Sequence, residues 1–149
     1  MEFARSKKGI FVSQRKYILD LLEETDMPGC KPSKTPIELG NKAKMLEGEP
    51  VNKENYQRLV GKLIYLSHTR LDIAFAVSLV SHICTHHVNA PCQGHLNAVY
   101  RILRYLKQTP GKGLFFAKTD DRRMRAFTNV DWAGSINDRK STSGYCTLF

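Results

Sequence analysis

QRLVGKLIYLSHTRLDIAF, residues 57–75, decides the fold class. Together with the residue before it, its first half spaces Tyr56, Leu59, Val60, Leu63 and Ile64 three and four apart, one stripe of an amphipathic helix. Its second half opens another stripe, in which Ile73, Ala76, Val77, Val80 and Ile83 repeat the pattern. Asp72 stands near the start of that second helix, where a carboxylate suits the positive end of the helix dipole. A third stripe runs through Leu96, Val99, Leu103 and Leu106. Pro91 is a good first-turn residue for it, and Thr109-Pro110-Gly111 stops it. Three amphipathic helices over residues 53–108, joined by short connections, predict a small helical bundle.

On the N-terminal side, MEFAR and GIFVS flank the turn SKKG, which predicts a β-hairpin over residues 1–12 with Gly9 taking the awkward turn angles. Ser13 is a candidate N-cap for a short helix carrying Tyr17, Ile18, Leu21 and Leu22, and Met27-Pro28-Gly29 ends that helix. Residues 28–52 hold Pro28, Pro32, Pro36 and Pro50 with little periodicity, so they read as an extended linker and the clearest internal boundary. From Gly113 onward the pattern turns to strands. Leu114-Phe115-Phe116 and Ala126-Phe127-Thr128 flank the charged turn KTDDRRM, and Tyr145 to Phe149 make a further strand with an unpaired apolar edge. Isolated hairpins are marginal in water, so residues 125–149 are expected to be mobile, or to pair with the N-terminal hairpin or another chain. The fold class is α+β.

The chain has 149 residues, 42% of them hydrophobic, and carries 23 Lys and Arg against 14 Asp and Glu, a net charge of +9. A polyanion is the charged partner this balance favours. The start, MEFARSKKGI, lacks the apolar core of a signal peptide, and no apolar run reaches the roughly 18 residues of a membrane span. Cys30, Cys84, Cys92 and Cys146 follow no disulfide-framework spacing, so reduced thiols and a soluble intracellular chain are expected, with no compartment indicated.

Three constellations call for a chemical reading. CTHHVNAPCQGH places Cys84-x2-His87 beside Cys92-x2-His95, a spacing that could hold tetrahedral zinc. Cys84, however, falls on the side of its helix shared with Val77 and Val80, which favours ordinary helix residues, and no metal site is assigned. Asp120-Asp121 is explained by a solvated turn. Ser141 and Ser143 have no neighbouring His or Lys in a nucleophile arrangement, and turn chemistry accounts for both.

Four stretches, FARSKKGIFVSQRKYILDLLEETDM (3–27), QRLVGKLIYLSHTRLDIAF (57–75), HLNAVYRILRYLKQTPGKGLFF (95–116) and DWAGSINDRKSTSGYCT (131–147), resemble in order the Pol polyprotein of Ty1/copia-type retrotransposons. The resemblance implies the end of a reverse-transcriptase palm and first helix over 1–27, a linker over 28–52, a thumb-like helical region over 53–112, and an incomplete RNase H-like start over 113–149. Where the family usually has Pro, in Thr-Arg-Pro-Asp-Ile, this chain has Leu71, which tolerates a helix start. Trp132 reads as a packing anchor beside the first RNase H strand.

The resemblance also implies which chemistry the chain lacks. The family's Tyr-x-Asp-Asp polymerase turn does not occur in it. Aligned on Asp131-Trp132-Ala133-Gly134, the first RNase H carboxylate falls at Asn129, and a neutral amide is a poor ligand for divalent cations. Asp131 matches the second, non-catalytic acid. The parent enzyme would use Mg²⁺ in two-metal chemistry, whereas this chain is expected to hold no catalytic residue, metal or cofactor and to take no small-molecule substrate. Arg101 and Arg104 project away from the apolar stripe of the third helix, Lys107 borders that face, and Lys112 follows the helix. They read either as phosphate contacts to an RNA/DNA duplex, which position without reading sequence, or as a solvated helix face. The expectation is a catalytically inactive polyprotein fragment with nonspecific nucleic-acid binding. The alternative is one segment of an active RNA-directed DNA polymerase and ribonuclease H completed by missing parts.

Overall fold

Four helices close on one apolar cluster. The computed structural model describes residues 1–38, 47–86, 90–118, 125–131 and 142–148, with backbone course alone over 83–86, 125–131 and 142–148. Helices α1 (Arg15–Glu24), α2 (Lys53–Ser67), α3 (Ala74–His86, entered through a 3₁₀ turn at Leu71–Ile73) and α4 (Gln93–Gln108) follow in chain order. Ile18, Leu21 and Leu22 of α1 meet Tyr56, Leu59, Val60, Leu63 and Leu66 of α2, Ile73, Ala76, Val77 and Val80 around α3, and Val99, Ile102, Leu103 and Leu106 of α4. Most expected stripe residues are among these, but Leu96 is only partly buried, Ile102 joins the core unforeseen, and the Ile83 side chain lies outside the described residues. Ile64 is 42% exposed, and Leu66 takes the buried place. Leu66 lies two turns from Leu59, whereas Ile64, one turn from Val60, falls at the opposite margin of the stripe.

The helix ends explain where the elements stop. Asn52 accepts the Asn55 N–H at 2.8 Å and caps α2. Ser13 does not cap α1; it remains in the preceding strand, its hydroxyl 3.4 Å from a Glu2 carboxylate oxygen, and Gln14 occupies the cap position with its side-chain oxygen accepting from the Thr69 hydroxyl instead of capping the helix. Pro91 lies one residue before the Cys92 cap of α4 rather than inside its first turn.

The N-terminal hairpin pairs β1 (Glu2–Ser6) with β2 (Gly9–Ser13) antiparallel, Phe3 opposite Val12 and Ser6 opposite Gly9. Strand β3 (Gly113–Ala117) adds to β2, giving the order β1-β2-β3. This corrects the expected hairpin of 114–116 with 126–128. Gly113 is required at that junction, since a Cβ there would stand 2.1 Å from the Val12 carbonyl oxygen. A second sheet pairs β4 (Arg125–Asp131) with β5 (Thr142–Leu148) antiparallel. The chain divides into two units, Met1–Phe116 and Ala117–Phe149.

Residues 47–51, near the end of the proline-rich segment, are hydrogen-bonded to the start of α4. Gln93 and Gly94 donate their backbone N–H groups to the Glu49 and Glu47 carbonyls, each at 2.9 Å, and Val51 donates to the Pro91 carbonyl at 2.7 Å. The first N–H groups of a helix have no partner inside it, so these carbonyls satisfy donors that side-chain caps usually meet.

Candidate functional site

Arg101, Arg104 and Lys107 recur every three residues along α4, on the side away from Val99, Ile102, Leu103 and Leu106. The segment from Cys30 to Glu38 runs beside this row. Lys107 Nζ donates to the Cys30 carbonyl at 2.6 Å, and the Ser33 N–H donates to the Arg104 carbonyl at 3.2 Å. Arg101 reaches the Thr35 hydroxyl at 3.0 Å and the Glu38 carboxylate at 2.6 Å. The Nε groups of Arg101 and Arg104 are both buried without a hydrogen-bond acceptor among the described residues. All three cations are half-buried instead of standing free in solvent. Ile37, from the same segment, packs on the edge of the core.

Lys112 belongs to a different arrangement. It lies 3.1 Å from Asp72, a carboxylate that also accepts from Arg70 Nε and Nη2 at 3.0 Å each and from the Tyr105 hydroxyl at 2.8 Å. Arg70 is 1% exposed, gives two further bonds to Thr109 (2.7 Å to its carbonyl, 2.9 Å to its hydroxyl), and stacks its guanidinium 5.9 Å from the Tyr105 ring centre. Burial by itself pushes the Asp72 carboxyl upward. The bonds from Arg70, Tyr105 and Lys112 outweigh it and hold Asp72 well below the usual carboxylate range. Burial, and then the charge it faces on Asp72, raises the Tyr105 phenol. Asp72 thus does more than complement a helix dipole: with Arg70 it ties the start of α3 to the last turn of α4. A signal for this lay in Thr69-Arg70-Leu71-Asp72, an ion pair set between two apolar stripes. Leu71 itself is 65% exposed, so the side chain there carries no packing.

Of the metal-like spacing, His87 and the Cys84 side chain lie outside the described residues. His95 Nδ1 accepts the Cys92 N–H at 3.0 Å, reproducing with an imidazole the backward bond of a capping box. Among the described residues no group of three His, Cys, Asp or Glu is placed to hold a metal. Asn129 stands in β4 opposite Gly144, and Asp131 opposite Thr142. Asp120, Asp121, Trp132 and Ser141 fall outside the described residues, and Ser143 lies in β5 opposite Val130.

One feature of charge was missed in the sequence. From residue 73 to residue 119 there is no Asp or Glu, while Arg101, Arg104, Lys107, Lys112 and Lys118 all lie within that span. The carboxylates that meet these cations, Glu38 and Asp72, come from earlier in the chain. No helix among the described residues is long and apolar enough to cross a membrane.

Known proteins similar to the chain include the retrovirus-related Pol polyprotein from transposon RE1 of Arabidopsis thaliana, 40% identical over 146 residues, 97% of this chain and 10% of that protein. The Pol polyprotein from transposon TNT 1-94 of Nicotiana tabacum is 37% identical over 153 aligned positions, 97% of this chain and 11% of its own length. An uncharacterized mitochondrial protein of Arabidopsis thaliana is 40% identical over 85 residues, 57% of this chain and 73% of that protein. The chain therefore spans about a tenth of the length of the transposon polyproteins it matches. No family model and no solved structure matches it.

Proposed function

Because the chain belongs to the retrovirus-related Pol polyproteins of copia-type transposons, we propose that it is a non-catalytic Pol segment whose helical unit grips the backbone of a nucleic-acid duplex. The observation that carries this reading is the cationic row on α4 within a span free of acidic residues. A cation every three residues places charge along one line of a helix, and a phosphate backbone is a line of anions. Such contacts hold a duplex in place without reading its bases. The resemblance to a thumb-like region supports the same role.

Asn129 supports the non-catalytic part of the proposal. At the position that the resemblance gives to a metal-binding carboxylate, an amide supplies one neutral oxygen and no charge to offset two divalent cations. The second unit on this reading retains a nuclease-like hairpin without its chemistry.

Two measurements on the purified chain test these statements. Binding to a labelled RNA–DNA hybrid, followed by fluorescence anisotropy across a salt series, is expected to weaken steeply with salt. The double change Arg101→Glu, Arg104→Glu is expected to flatten the log–log salt slope by about 2. Binding unchanged by the double substitution would remove α4 as the contact surface. Incubating the hybrid and a primed template with Mg²⁺ or Mn²⁺ is expected to give neither cleavage nor extension, and either product would restore the enzymatic reading.

A further inference from the structure

We propose that residues 30–38 act as an internal competitor for the cationic row of α4, a strap that a phosphate backbone must displace. The inference rests on the reading of that row as a duplex-binding face and adds a regulation to it. Three different groups of the segment, the Cys30 carbonyl, the Thr35 hydroxyl and the Glu38 carboxylate, accept from Lys107 and Arg101. These are the oxygen acceptors with which a protein can imitate a phosphate, and the carboxylate supplies the matching charge.

Two donors of the row stay unsatisfied beside the strap. Arg101 Nε and Arg104 Nε are buried with no acceptor among the described residues. A donor shielded from water and left unbonded destabilises the arrangement that shields it. Each phosphodiester offers two non-bridging oxygens, and successive phosphates along a backbone can meet donors that one carboxylate leaves over. The exchange of strap for phosphate is therefore favoured by hydrogen bonding as well as by charge.

The strap's own hold is of the kind that yields. Glu38 is 50% exposed on its side chain, and ion pairs at such positions contribute little. Thr35 and Lys34 are exposed as well. Pro32 and Pro36 restrict the released segment, so little conformational freedom is lost when it seats again. The segment can thus leave and return without disturbing the core beneath, of which it contributes only Ile37 at the margin.

The test compares Glu38→Gln with Glu23→Gln, an exposed acid on α1 that makes the same change in net charge. Anisotropy with a labelled RNA–DNA hybrid at low salt is expected to show Glu38→Gln binding about threefold tighter than Glu23→Gln, the size of one exposed ion pair. Saturating hybrid is expected to speed tryptic cleavage after Lys34 in the wild-type chain. Equal affinities of the two variants, or cleavage after Lys34 that is unchanged or slowed by hybrid, would overturn the competitor. Binding that is lost in Arg101→Glu, Arg104→Glu yet indifferent to Glu38→Gln overturns the strap and leaves the duplex-binding face standing. Absence of binding in every variant overturns both.

Discussion

Removing the Asp72 carboxylate is expected to cost more stability than any other single polar change in the helical unit. Arg70 is 1% exposed, and its guanidinium divides its bonds between Asp72 and Thr109. In Asp72→Ala both bonds to the carboxylate vanish, and a buried cation keeps only its bonds to Thr109 and the face of Tyr105. Breaking one side of a buried ion pair costs about 3–5 kcal/mol. Thr109 keeps part of the guanidinium satisfied, and Lys112, 54% exposed, is relieved rather than stranded, so the lower half of that range, about 3–4 kcal/mol, applies. For a unit of this size each kcal/mol moves the midpoint by about 4 °C, so the loss is expected near 14 °C. Asp72→Asn, which keeps one acceptor oxygen and loses the charge, is expected to fall between wild type and Asp72→Ala.

The acid side of the same prediction has a definite sign. Asp72 is held below its ordinary value in the folded chain, so its contribution is whole above the unfolded-state value near 4, and it declines as pH falls through that value toward the lower folded one. The wild-type advantage over Asp72→Asn is therefore expected to be constant from about pH 5 to 7 and to shrink below about pH 4. Urea unfolding followed by helical circular dichroism across that range measures it. A difference under about 0.5 kcal/mol at pH 7, or one that grows toward acid, would refute the view that Arg70 and Asp72 clamp α3 to α4.

Other changes test the packing around that clamp. Tyr56→Phe removes a buried bond of 2.9 Å to the Val80 carbonyl between α2 and α3 and is expected to cost about 1–1.5 kcal/mol in urea unfolding. Leu106→Ala, at a position with 0% exposure, is expected to cost about 3 kcal/mol by the same assay. Asn52→Ala deletes the α2 cap and is expected to cost about 1 kcal/mol, read as faster amide exchange at Asn55. If Asn129 stands at the proposed carboxylate position, Asn129→Asp supplies one carboxylate but not a two-metal set, so cleavage of an RNA–DNA hybrid is expected to stay at the level of buffer.

The helices were legible because burial on a helix leaves a 3.6-residue period, and Tyr56, Leu59, Val60 and Leu63 could occupy the core in no other conformation as compactly. What escaped the sequence was set by partners distant along the chain. Leu114-Phe115-Phe116 carries the pattern of a strand, but whether it pairs with residues 9–13 or with residues 126–128 depends on a closure that no local residue encodes. The segment of four prolines lost its periodicity and so read as a linker. Its attachment runs through carbonyls at Glu47, Glu49 and Cys30, and every residue has a carbonyl, so composition gives no sign of it. The row Arg101, Arg104 and Lys107 was visible as a face, whereas the strap over it was not, for the same reason.

Taken with the strap, the clamp explains how so small a share of a Pol polyprotein can present a defined charged surface. Helix α4 is fixed at its first turn by the Glu47 and Glu49 carbonyls and at its last by Arg70 through Thr109. Between those points Val99, Ile102, Leu103 and Leu106 are buried and set its rotation. A helix held at both ends and along one side does not have to be ordered when a ligand arrives, so the association cost left to bear falls on the arginine and lysine side chains. Several of these already lie in place, arranged against Thr35, Glu38 and Cys30. On the proposed reading the strap has opposite effects on duplex binding: it would compete for the cations, and it would keep them extended in the row that a phosphate backbone meets.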